Sequence, residues 1–122
     1  MNTELTIEKS IEQYTEAWNQ KDPIAIKEAL YHCWTEASSY IDPQNALITG
    51  PNALANLIYS SYEPMPGRTF RLLSKVDYHN GSGRFKWELI QSGQEVQEGM
   101  DYFEYNGEKQ ITRIVGFFGA LS

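Results

Sequence analysis

Apolar positions recur at Ile7, Ile11, Tyr14 and Trp18, spaced i, i+4, i+7 and i+11. That is one stripe of an amphipathic helix, predicted over residues 4–20 with Leu5 at its start. Asn19, Lys21 and Asp22 break the stripe. A second helix is predicted in "DPIAIKEALYHCW": Asp22 can cap it, Pro23 suits its first position, and Ile26, Ala29 and Leu30 give it an apolar face. "EASSYID" reads as a strand stopped by Pro43, and a short strand at Ala46–Thr49 can pair with it across "DPQN". Gly50 and Pro51 precede a third helix, "NALANLIYSSY", with Leu54, Leu57, Ile58 and Ser61 on one side; "EPMPGR" is a loop. From Thr69 onward the character changes to β. "TFRLLSKVDYH", "RFKWELIQ", "EVQEGMDYFEY" and "QITRIVGFFG" form four strands joined by the hairpin signals "NGSG", "SGQ" and "NGEK".

Helices followed by a run of antiparallel strands predict an α+β fold, a single domain over residues 1–122 with the helices on one sheet face. Long strands with polar hairpins predict a strongly curved sheet. Helices covering its concave side would leave a conical cavity, a natural small-ligand site.

Composition narrows the partners. Hydrophobic content of 41% with 13% aromatics is that of a folded domain with rings to spare for a pocket. A formal charge of −6 without a Lys/Arg cluster argues against nucleic acid and anionic membranes. The single cysteine, Cys33, excludes an internal disulfide and suits a reducing cytoplasm; its apolar context predicts a buried structural thiol. "MNTELTIEKS" lacks an apolar h-region, and no apolar run approaches membrane-spanning length, so the expectation is a soluble cytoplasmic protein. There is no phosphate loop, Ser-His-Asp order or metal-ligand spacing, and neither cofactor nor metal is expected.

One segment resists a purely structural reading. In "EGMDYFEYNGE", Asp101 shares a strand face with Phe103 and Tyr105. Aspartate is depleted in strands and costly to bury alone. Either this face meets solvent or a neighbouring Arg or Tyr, or Asp101 is a carboxyl group in an apolar pocket, its pKa raised until it can donate a hydrogen bond. Tyr14 lies on the buried stripe of the first helix, its hydroxyl bonded to a backbone carbonyl or aimed into a cavity. Asp42, held extended by Pro43, is either a turn starter or a general base at the cavity mouth.

His79, in "VDYHNG", sits at a hairpin end and is expected on the surface; turned inward, it could replace Asp42 as base or pair with it. His32 beside Cys33 is not a zinc pattern. Arg68 and Arg113 could bind a carboxylate ligand, but surface pairing with the acidic excess is the stronger expectation.

"YTEAWNQKD", "YIDP" leading to Gly50, and "MDYFEYNGEKQITRIVGFFG" together resemble the nuclear-transport-factor-two-like superfamily, which includes the SnoaL-like polyketide cyclases. Within it, the pattern is most similar to the ketosteroid isomerases, over essentially the whole chain. The resemblance implies a cone-shaped, curved antiparallel sheet around three helices, a cystatin-like α+β barrel. It also implies a homodimer formed through the exposed sheet face. It implies cofactor-independent isomerase or lyase chemistry on a small hydrophobic carbonyl compound. Asp42 would be the base moving a proton between carbons of an enone, and Tyr14 and a protonated Asp101 the oxyanion hole. Trp18, Tyr40, Trp87, Phe103, Phe118 and His79 would contact the ligand. Trp18 and Trp87 are bulkier than the residues usual at those places and would narrow the cavity. The alternative is a non-catalytic ligand-binding or dimerisation domain with the same cavity. An epoxide-hydrolase-like or dehydratase use would need a positioned water or a His–Asp pair, with His79 inside.

Overall fold

A computed structural model describes residues 5–119 and 121. Helix α1 runs Ile7–Asn19, one turn shorter at its start than its apolar stripe predicts, because Thr6 is extended and its side chain caps the Lys9 N–H at 3.1 Å. Ile7, Ile11 and Tyr14 are buried on the stripe. Helix α2, Pro23–Tyr31, begins as expected, with Asp22 accepting from the Ala25 N–H and Pro23 in its first turn. Strand β1, Trp34–Asp42, pairs antiparallel with β2, Asn45–Thr49, across Pro43 and Gln44. Gly50 then takes a φ of +88°, which turns the chain into α3, Pro51–Ser60.

The first predicted long strand divides in two: β3, Thr69–Leu72, and β4, Asp77–His79. The cause is a side chain acting as backbone: the Leu73 N–H still donates to the Lys86 carbonyl at 2.8 Å, but the Ser74 hydroxyl takes the Lys86 N–H at 2.9 Å and Ser74–Val76 leave the ladder. Strands β5, Ser82–Gln91, β6, Gln94–Tyr105, and β7, Ile111–Phe118, follow. Asn80 and Gly81, both at positive φ, make the two-residue β4–β5 hairpin that "NG" predicts.

The strands form one seven-stranded, curved and unclosed sheet in the order β2-β1-β7-β6-β5-β3, with β4 also on β5. It is antiparallel except between β1 and β7, which run parallel. The helices fill its concave side, where Tyr14, Phe85, Phe103, Ile11 and Ile114 are among the fully buried side chains. Asn19 ties the end of α1 to the edge strand, donating to the Phe70 carbonyl at 2.8 Å and accepting the Phe70 N–H at 2.7 Å. This side chain pairs backbone groups an edge strand would otherwise leave open. Cys33 is a buried structural thiol, its pKa pushed up to about 12 by burial. No helix among the described residues is long and apolar enough to cross a membrane.

Ile11 has no exposed surface and belongs to the single cluster of buried apolar side chains among the described residues. Replacing it with Ala should cost about 2–5 kcal/mol in urea unfolding, with little change in the m-value.

Candidate functional site

Four strands place the polar groups of the concave face in one row. Asp101 on β6 is opposite Gly116 on β7, and the parallel β1–β7 register sets Ile41 beside Val115, carrying Asp42 to Gly116 from the other side. A Cβ on Gly116 would lie 3.1 Å from Asp101 Oδ1 and 3.3 Å from Asp42 Cβ. The bare glycine therefore leaves two carboxyl groups as neighbours, rather than on opposite walls.

A second glycine orients Asp101. A Cβ on Gly99, paired with Trp87, would sit 2.2 Å from the Trp87 ring. With no side chain there, the indole lies across β6 and its Nε1–H donates to Asp101 Oδ1 at 2.8 Å. Asp101 is 4% exposed, and no described residue bonds its other oxygen. Burial pushes its pKa up to about 7; the Trp87 hydrogen bond holds the rise back, and the Asp42 charge adds to it.

A pocket of about 420 Å³ opens onto this row, between the concave face, α1 and the loop from Ser61 to Arg68. Tyr14, Trp18, Tyr40, Asp42, Trp87, Asp101 and Phe118 all line it. Tyr14 is almost wholly buried, and burial followed by the Asp101 charge raises its hydroxyl pKa well above the ordinary value. The Trp18 indole N–H stands near enough to moderate that rise, yet it closes no hydrogen bond and is itself unpartnered. Tyr40 donates to Asp42 Oδ2 at 2.6 Å, and burial raises its pKa too. Asp42 Oδ1 accepts from the backbone N–H groups of Gln44 and Asn45 and from Asn45 Nδ2, each within 2.9 Å. The rim is aromatic: Trp18 stacks on Phe70, Phe70 on Trp87, and Phe118 meets Trp87 edge-on.

Two expected ligand contacts fall elsewhere. Phe103 is fully buried in the core, packed between Phe85 and Tyr105 over Gly83, and does not reach the pocket. His79 is exposed at the end of β4, on the outer hairpin, so it neither lines the pocket nor pairs with Asp42. A His–Asp reading of the site loses its histidine. Arg113 is exposed opposite Glu104, as a surface residue should be. Arg68 is not: it is 3% exposed and lines the pocket.

Gly99, Gly116 and the inward course of Arg68 escaped sequence reasoning. The glycines carried a usable signal, since Gly within a strand marks close approach of another group. Arg68 carried none. Among the described residues no three His, Cys, Asp or Glu side chains gather at one point to hold a metal.

A protein from Agrobacterium tumefaciens, described as a candidate isomerase of the SnoaL-like family, has the same architecture with a TM-score of 0.85. It is 30% identical, and the alignment covers 95% of this chain and 100% of that one. This chain belongs to the SnoaL-like family. Two further relatives in fold alone are a candidate SnoaL-like polyketide cyclase from a Jannaschia species and a nuclear-transport-factor-two-like protein of unknown function from an Exiguobacterium species. The first has a TM-score of 0.70 at 16% identity, covering 97% of this chain and 91% of that one. The second has 0.72 at 12%, covering 92% and 99%. No family model and no curated protein matches the chain.

In this SnoaL-like chain Asp101 should leave a thermodynamic mark. A carboxyl group with a raised native pKa binds its proton more tightly folded than unfolded, so its contribution falls as pH rises from about 4 to about 7 and is level outside that window. Asp101→Asn should therefore gain stability over the wild type across that interval, by at most about 4 kcal/mol. Urea unfolding of both proteins at several pH values measures the difference.

Proposed function

We propose that this SnoaL-like protein is a cofactor-independent isomerase or lyase working by general acid–base catalysis on a small hydrophobic carbonyl compound bound in the pocket. The observation that carries the reading is that Tyr14, Asp101 and Asp42 line one pocket among aromatic side chains, drawn from α1, β6 and β1. In enone isomerisation, Asp42 takes a proton from the carbon between carbonyl and alkene. Charge then develops on the carbonyl oxygen, where the Tyr14 hydroxyl and protonated Asp101 donate hydrogen bonds. Asp42 returns the proton to the far end of the dienolate, and the double bond ends in conjugation. Donors already oriented in a low-dielectric pocket stabilise that charge without reorganising. A pKa near 7 keeps a substantial share of Asp101 protonated at neutral pH. The candidate isomerase from Agrobacterium, similar over nearly the whole chain, is consistent with this chemistry.

A second reading, a ligand-binding domain without turnover, draws support from Asp42 itself. Both of its oxygens already accept hydrogen bonds, from Tyr40, Gln44 and Asn45, which favours a fixed carboxylate over a mobile base.

Small β,γ-unsaturated ketones separate the two, since conjugation is followed by ultraviolet absorbance and binding by quenching of Trp18 and Trp87. Asp42→Asn should lower turnover about 10²–10⁴-fold with little change in affinity. Full activity in that variant removes Asp42 as the base. Binding without turnover in the wild type selects the second reading.

A further inference from the structure

Arg68 ends the loop that closes the pocket, and its guanidinium is buried without an acid. Nη1 donates to the Trp18 carbonyl at 2.8 Å and Nη2 to the Ser61 hydroxyl at 2.6 Å. The group stacks 4.0 Å from the centre of the Tyr62 ring and 5.4 Å from that of Trp18. The ion pairs among the described residues are Arg71–Glu88 and Arg84–Asp77; neither involves Arg68. The Tyr62 hydroxyl, which shares the Trp18 carbonyl with Nη1, stands beside the guanidinium, and no carboxylate among those residues pairs with it.

The contacts present explain part of this. The Trp18 carbonyl belongs to the last turn of α1, where the helix dipole is negative, and the aromatic faces attract a cation. Neither supplies a full countercharge, and a buried guanidinium without one is costly. The side chain lines the same pocket as Tyr14 and Asp101, with Trp18 between them, edge-on to Tyr14 and under the guanidinium. Net charge of −6 gives no long-range attraction for anions, so recognition here would be local and made by the fork itself.

We propose that the ligand is bipolar: an apolar body with a carbonyl directed to Tyr14 and Asp101 and a carboxylate at its other end paired with Arg68. This deepens the acid–base reading and rests on it for the carbonyl end; the carboxylate end rests on Arg68 alone.

The probes are 4-oxo-4-phenylbutyrate and its methyl ester, which share the aryl ketone and differ by one charge. Affinities come from quenching of the pocket tryptophans and from calorimetry. In the wild type the acid should bind about tenfold or more tighter than the ester, the scale of a hydrogen bond to a charged group. Arg68→Met should erase that preference, the acid losing about tenfold more affinity than the ester whatever both lose through the freed end of α1, a split that a merely structural role for Arg68 would not produce. Arg68→Lys keeps the charge that faces the end of α1 but loses the fork, and should retain only part of the preference. That variant and the wild-type ratio test the proposal even where Arg68→Met does not fold. Equal binding of acid and ester, binding of neither, or an acid preference that Arg68→Met or Arg68→Lys leaves intact overturns it. Acid preference in a protein that never isomerises enones would refute the catalytic reading and leave the carboxylate site standing.

Discussion

A carboxyl group sits inside this sheet without a cation beside it, and the pocket is arranged around that constraint. Asp101 is tolerable there because one oxygen accepts the Trp87 indole N–H and because its proton is retained to nearly neutral pH. The bond requires the indole to lie flat across β6, which only a bare backbone at Gly99 permits. The neighbouring position on β7 is also bare, and a Cβ at Gly116 would crowd Asp101 and Asp42 together by a few tenths of an ångström. Two glycines on adjacent strands thus set the position of two acids and one indole.

The other side of the pocket is organised by Trp18. Its ring meets Tyr14, Tyr40 and Phe70, and its carbonyl receives both the Tyr62 hydroxyl and Arg68. The end of α1 is held from two directions, by Arg68 and Tyr62 on one side and by the Asn19 clasp on β3 on the other. The helix that carries Tyr14 is therefore anchored where the pocket opens. Tyr14 can keep a free hydroxyl because packing against Trp34 and Trp18, rather than a hydrogen bond, fixes its ring.

Much of this was legible beforehand, for reasons of period and punctuation. The stripe from Ile7 to Trp18 placed α1 and turned Tyr14 inward, and the "NG" at Asn80–Gly81 located a hairpin. Asp101 stood out because a carboxylate between large apolar residues conflicts with strand propensity. Phe103 was misjudged for a related reason. Alternation gives the face but not the depth along the strand, and at its end of β6 that face meets packed core. His79 is on the surface, as its hairpin-end position predicted; its place among the ligand contacts fails because Ser74 breaks the strand before it and β4 becomes a separate outer ribbon.

Sequence by itself determined the helices, most strand boundaries, the curved α+β class and the identity of the polar residues worth watching, because these follow from local spacing and turn chemistry. Tertiary structure alone decided which of them meet. The parallel β1–β7 pairing brings Asp42 beside Asp101 across Gly116, and it joins residues far apart in the chain by a register that no local pattern encodes. It alone also turned Arg68 from a surface cation into a buried one. A loop arginine looks the same in sequence whichever way it points, and its direction is set by the Trp18 carbonyl and the Tyr62 ring that the folded chain places around it.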